Sequence, residues 1–95
     1  MNKTKLRENF EQALDKFNFV MVYDIVKMYC KDSYWISKMA MMQDIVTLFE
    51  FALKDIANGS SYSIRKSEYF QIRLYNSGNV YIEFIPVSSY IDWEK

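Results

Sequence analysis

Apolar and polar residues alternate with a period of two through EYFQIRLYNSGNVYIEFIP, residues 68–86, on both sides of Asn76-Ser77-Gly78-Asn79. Two half-buried strands joined as a hairpin are predicted. The loop decides the faces. If Ser77-Gly78 were a two-residue turn, Leu74 would pair with Tyr81, and Glu83 would share a face with Phe70, Ile72 and Leu74. If the loop is the three residues Asn76-Ser77-Gly78, with Gly78 in the left-handed region as a G1 bulge, Leu74 pairs with Val80 and Tyr75 with Asn79. Phe70, Ile72, Leu74, Val80, Ile82 and Phe84 then share one face, and Tyr69, Gln71, Arg73, Tyr75, Tyr81 and Glu83 the other. A slip of one residue turns a whole strand over, so this clean partition selects the three-residue loop.

Helical spacing governs the first part of the chain. Leu6, Phe10, Ala13, Leu14 and Phe17 recur every three or four residues from a start near Thr4, with Glu8, Glu11, Asp15 and Lys16 on the opposite side. Residues 19–31 fit two templates: Phe17, Phe19, Met21 and Tyr23 alternate as a strand does, while Met21, Ile25 and Met28 with Val22, Val26 and Tyr29 fit a helix. The helix is the preferred reading, ending around Lys31, either bent near Asn18 or continuous from Thr4. The strongest pattern follows: Trp35, Met39, Met42, Val46, Phe49, Leu53 and Ile56 alternate steps of four and three, after an Asp32-Ser33 cap and up to a glycine stop at Asn58-Gly59. A second stripe, Met41, Ile45, Leu48 and Ala52, runs beside it. Together they exceed the apolar arc of about 100° that one packed layer requires. Either this helix lies deep between the first helix and the sheet, or it meets another subunit. The second option predicts a homodimer contact through Met41, Ile45, Leu48 and the off-stripe Phe51.

Ser60 to Ile64 reads as a further short strand that turns through Arg65-Lys66-Ser67 into the hairpin. Pro86 closes the last strand. The expected fold is α+β in two layers, with N-terminal helices packed on one face of a C-terminal three-stranded antiparallel β-meander. One domain is expected over residues 1–95: helical over 1–59, the meander over 60–87, and an apolar tail over 88–95. Tyr90, Ile91 and Trp93 make that tail too apolar to be left in water, so it packs back on the domain or docks on a partner.

Composition narrows the function classes. Twelve basic and twelve acidic side chains balance, so no long-range field steers the chain toward phosphates. Lys3, Lys5 and Arg7 run straight into Glu8 and Glu11 with no hydrophobic segment of the secretory kind, and no apolar run approaches the ~20 residues of a membrane span. A soluble cytoplasmic protein is expected, with its lone Cys30 reduced and buried as a small hydrophobe. The Lys, Asn, Ile and Tyr bias matches AT-rich genomes, many microbial and phage genomes among them.

The chemical inventory is short. There is no histidine, and the two glycines, Gly59 and Gly78, are taken by a helix end and a turn, which leaves no phosphate loop. No metal, cofactor or catalytic site is expected. Asp44, Glu50 and Asp55 read as the solvated side of the long helix, and Met39, Met41 and Met42 as core filler. What remains is the polar face of the hairpin. Tyr69, Tyr75 and Tyr81 with Arg73 and Glu83, joined by Tyr90 and Trp93 of the tail, have the composition of a protein-binding hot spot. Simple strand propensity also places tyrosine on half-exposed sheets. The functional expectation is a small non-enzymatic protein-binding module, homodimeric, of the kind that serves as a phage or bacterial inhibitor or adaptor. RNA or single-stranded DNA binding through the tyrosine and arginine face is the alternative, disfavoured by the lack of further lysines and arginines to track a backbone.

Overall fold

The computed structural model describes residues 3–29, 38–67 and 69–85. Along the chain run α1 (Lys3–Lys16), α2 (Phe19–Tyr29), α3 (Lys38–Ala57), β1 (Tyr62–Lys66), β2 (Phe70–Tyr75) and β3 (Val80–Phe84). The strands form an antiparallel meander in the order β1-β2-β3. Helix α3 packs on β1 and β2, and α1 packs on β3. The architecture is therefore the expected α+β arrangement of helices followed by a C-terminal sheet.

The hairpin takes the three-residue loop. Leu74 pairs with Val80, Ile72 with Ile82 and Phe70 with Phe84. The Tyr75 N–H donates to the Asn79 carbonyl at 3.0 Å, and the Gly78 N–H donates to the Tyr75 carbonyl at 2.9 Å. Gly78 has φ of 114°, which an L side chain rarely adopts. Helix α1 also reaches this point: Asn9 Nδ2 donates to the Gly78 carbonyl at 2.7 Å. A Cβ on Gly78 would sit 3.3 Å from that same nitrogen, so backbone conformation and close approach both call for glycine.

Asn18 separates α1 from α2. Its φ of 55° lies in the left-handed region, which asparagine tolerates better than most residues. Its carbonyl accepts the Val22 N–H at 3.1 Å, the first bond of α2. Residues 19–29 are thus a separate helix, neither a strand nor a continuation of α1. At the other end, α3 stops in a Schellman motif: Ser60 N–H donates to the Asp55 carbonyl, Gly59 N–H to the Ile56 carbonyl, and Gly59 takes φ of 107°. The proposed Asp32-Ser33 cap, Trp35 and Cys30 lie outside the described residues.

Helix α3 supplies most of the core, but its buried arc is rotated from the one its spacing suggested. Met41, Ile45, Leu48, Phe49, Ala52, Leu53 and Ile56 are buried, while Met39 is 81% exposed and Met42 and Val46 are half-buried. Met41, Ile45 and Leu48 are therefore core residues facing the sheet and cannot form the contact between copies assigned to them; only Phe51 of that set is exposed. Phe49 stacks on Phe10 of α1, with ring centroids 4.1 Å apart and planes 9° from parallel. Phe17 meets Phe70 edge to face, and Phe70 packs against Phe84.

The carboxylates of α3 lie on its partly solvated side, as read, and are in addition ties to other elements. Asp55 accepts Ser63 Oγ at 2.5 Å and both Nε and Nη2 of Arg65 at 2.8 Å. Ser63 and Arg65 are the β1 residues opposite Leu74 and Ile72, on the helix side of the sheet. A buried serine and an inward arginine are admissible there because Asp55 satisfies both. Asp44 accepts Ser67 Oγ at 2.6 Å, fixing the turn after β1. Glu50 takes a two-pronged bond from Arg7 of α1, at 2.6 and 3.2 Å.

Two measurements test this assembly. Phe49→Ala removes the ring between α1 and the sheet and is expected to cost about 3 to 5 kcal/mol in urea denaturation, against a total of roughly 5 to 15 for a small domain. A loss below about 1 kcal/mol, the scale of surface substitutions, places Phe49 outside the core. The second concerns acid. Hydrogen bonds from Arg65, then Ser63, hold the Asp55 carboxyl down at about 2 against an ordinary 3.8. A depressed folded value gives stability that is complete above the ordinary value and lost as pH falls through the folded one. Parent and Asp55→Asn should therefore differ most at neutral pH, with the gap closing between about pH 4 and pH 2. A gap that is constant across that range refutes the role of the charge.

Candidate partner-binding surface

Strand alternation places Tyr62, Ile64 and Lys66 of β1, Gln71, Arg73 and Tyr75 of β2, and Tyr81 and Glu83 of β3 on the sheet face turned away from α3. On it the rings are contiguous. Tyr62 lies directly opposite Tyr75 and stacks with it at 6.2 Å. Tyr75 meets Tyr81 edge to face at 6.0 Å and 87°. The chain of rings thus crosses all three strands, with Tyr62 56% and Tyr81 44% exposed.

Arg73 occupies the middle of the central strand, opposite Ile64 on one side and Tyr81 on the other. Its guanidinium carbon lies 4.7 Å from the Tyr81 ring centre, and its Nη2 donates to Glu83 Oε1 at 2.8 Å. The fork is held over the ring by a charge beyond it, so little rotamer freedom remains to be lost when something binds. The Arg73 Nε is buried beneath this arrangement and has no acceptor among the described residues. Leaving such a donor unmet is unfavourable, and it marks this arginine as the least satisfied polar group of the face.

Beside β3 the face runs into a cleft of about 660 Å³ between that strand and α1, bordered by Asn9, Gln12, Lys16, Phe17, Tyr81 and Glu83. Its walls are mixed in polarity and include no nucleophile with an adjacent base. Among the described residues no group of three His, Cys, Asp or Glu side chains is placed to hold a metal ion. Among the described residues the carboxyls that move, Glu50 and Asp55, are both shifted down, by hydrogen bonds from Arg7 and Arg65 respectively, which is the wrong direction for a proton donor. No helix among the described residues is long and apolar enough to cross a membrane.

Of the residues expected to form a partner surface, Arg73, Tyr75, Tyr81 and Glu83 come together. Tyr69 does not. It precedes β2, where its carbonyl accepts the Ile85 N–H at 2.8 Å, and its side chain is half-buried against the core. Tyr90 and Trp93 lie outside the described residues. The surface also contains three residues not expected on it, Tyr62, Ile64 and Lys66. Spacing alone left the register of β1 open; the polar positions Ser63 and Arg65, with their carboxylate on α3, are the signal that turns Tyr62 and Ile64 outward. No protein-family model, curated protein or solved structure matches the chain, so the surface has to be read from its own chemistry.

Proposed function

We propose that the protein is a non-enzymatic protein-binding module that works in the cytoplasm as an inhibitor or adaptor, using the outer face of its sheet. The observation that carries this reading is the unbroken row of Tyr62, Tyr75 and Tyr81 with Arg73 fixed upon it. Tyrosine and arginine are the side chains that dominate binding energies at protein interfaces. They present large contact area while losing few rotamers, and Arg73 offers a fork suited to a carboxylate or a backbone carbonyl. Net charge on the row is small because Glu83 pairs with Arg73, which among the described residues of the three strands leaves Lys66 as the remaining cation of this face. That balance favours a protein partner over a nucleic-acid backbone, whose recognition depends on accumulated positive charge. Homodimeric assembly belongs to the same proposal.

The test is a set of three substitutions, Tyr75→Ala, Tyr81→Ala and Arg73→Ala, each first shown by circular dichroism to keep the parent fold. A protein captured by the parent is then titrated against each. At least one substitution is expected to weaken binding by 2 kcal/mol or more, roughly thirtyfold. If all three bind like the parent, the tyrosines are ordinary sheet residues. Binding instead to a labelled oligonucleotide, with a salt slope that Arg73→Ala lowers by about one unit, moves the assignment to RNA or single-stranded DNA.

A further inference from the structure

Strand β1 is built the wrong way round for a strand that ends a sheet. Ser63 and Arg65 face the helix, while Tyr62, Ile64 and Lys66 face outward, Tyr62 and Ile64 being 56% and 46% exposed. Its backbone is also open. Ser67 N–H donates to the Phe70 carbonyl and Asn76 N–H to the Ser61 carbonyl, which fixes residues 61, 63, 65 and 67 as those bonded to β2. By alternation the N–H and C=O groups of Tyr62, Ile64 and Lys66 point away from β2, and among the described residues no strand lies beyond them. Exposed edges are usually blunted by proline, a bulge, an edge lysine or an unpaired inward charge. Here β1 has no proline, its register with β2 runs without a bulge, the inward charge of Arg65 is taken up by Asp55, and the one edge lysine, Lys66, stands at the end of the strand, two residues from Ile64.

We infer that β1 pairs with β1 of a second copy of this chain, antiparallel and about a twofold axis at Ile64, joining two three-stranded sheets into one. The sequence of the edge is self-complementary in this register. Ile64 meets Ile64 of the second copy, and because its N–H and C=O both point outward, the two residues exchange both bonds. Tyr62 meets Lys66 of the second copy, and Lys66 meets Tyr62, placing each cation beside a ring. The two Lys66 residues are kept about 14 Å apart, four strand residues at about 3.4 Å each and more than a Debye length at physiological salt. The helix side of the edge fits as well. Phe51, 47% exposed, lies on the β1 flank of α3, where the Arg65 guanidinium covers its ring at 5.6 Å. The twofold brings that flank toward its copy. A closed, isologous contact of this kind matches one patch to itself. It does not require the tyrosine face to bind anything.

Sedimentation equilibrium on the full chain tests the pairing. The parent is expected to dimerise with a Kd in the range of about 10 to 300 µM, as suits a short edge contact. Ile64→Lys sets two like charges at the axis and should raise that Kd at least tenfold, while Met39→Lys, an equal change in charge at an exposed site off the edge, should leave it unchanged. A parent that stays monomeric at about 1 mM overturns the inference. So does a dimer that survives Ile64→Lys, or one that Met39→Lys weakens equally. Should Ile64→Lys fail to fold, Ile64→Cys in a Cys30→Ser background, treated with a short bifunctional thiol reagent, decides: Cα atoms of a hydrogen-bonded antiparallel pair lie about 5.5 Å apart, a gap such a linker spans although the Cβ atoms stand too wide for a direct disulfide. Rapid cross-linking to a covalent dimer supports the register, and its absence under conditions that modify an exposed control cysteine refutes it.

Discussion

The side-chain parity of β2 is the constraint on which the rest of the molecule depends. As the central strand it has one face toward α3 and one away, and each residue must take one or the other. Phe70, Ile72 and Leu74 are wholly buried and close the core against Phe49 and Leu53 of α3. Gln71, Arg73 and Tyr75 consequently turn outward, and they are the residues to which the flanking strands add Tyr62, Ile64, Tyr81 and Glu83. The core and the candidate surface are two consequences of one register. Gly78 holds that register from the β3 side, with Asn9 of α1 bonded to its carbonyl, so the first helix and the last hairpin are fixed at a single point.

Polar ties then set how α3 sits on this sheet. Asp44 and Asp55 mark the flank near β1, through Ser67, Ser63 and Arg65, and Glu50 marks the flank near α1, through Arg7. With both flanks tied, the residues between them, Met41, Ile45, Leu48, Phe49, Ala52 and Leu53, have no direction left but inward. These carboxylates have the chemistry of anchors, each partnered by hydroxyl or guanidinium groups, and Asp55 meets every polar side chain that β1 directs at the helix.

This division explains what could be read from the chain. The hairpin was legible to the residue because period-two alternation around a single glycine admits one loop that keeps the faces clean, and the Leu74 to Val80 pairing follows. The stop of α3 was legible for the same kind of local reason, the Gly59 cap. Its rotation was not. Two adjacent apolar stripes give the width of a buried arc without its centre, and the centre was set by partners distant in sequence: Arg7 is forty-three residues from Glu50, and Ser67 twenty-three from Asp44. The candidate face was half legible. Arg73, Tyr75, Tyr81 and Glu83 lie within the hairpin, whereas Tyr62 and Ile64 required the register of β1, which Asp55 decides from another element.

The inverted strand gives the surface its most informative feature. A strand with serine and arginine toward the helix and tyrosine and isoleucine toward water gains little from the hydrophobic effect within one copy of the chain, since its larger apolar side chains stay hydrated. Pairing across the twofold changes that balance. It covers Ile64 and the open backbone together, and it places the two rows of tyrosines on one continuous face, each row beginning at Tyr62 beside the axis and ending at Tyr81. A partner meeting this face encounters two identical sites related by the same axis. Occupancy of one raises the effective concentration at the other if the partner is itself twofold or repetitive, and the avidity so gained needs no additional contact. With such a partner, weak edge pairing and moderate affinity at each tyrosine row would reinforce one another: it would bind the dimer better than the monomer and, by linkage, shift the chain toward the dimer.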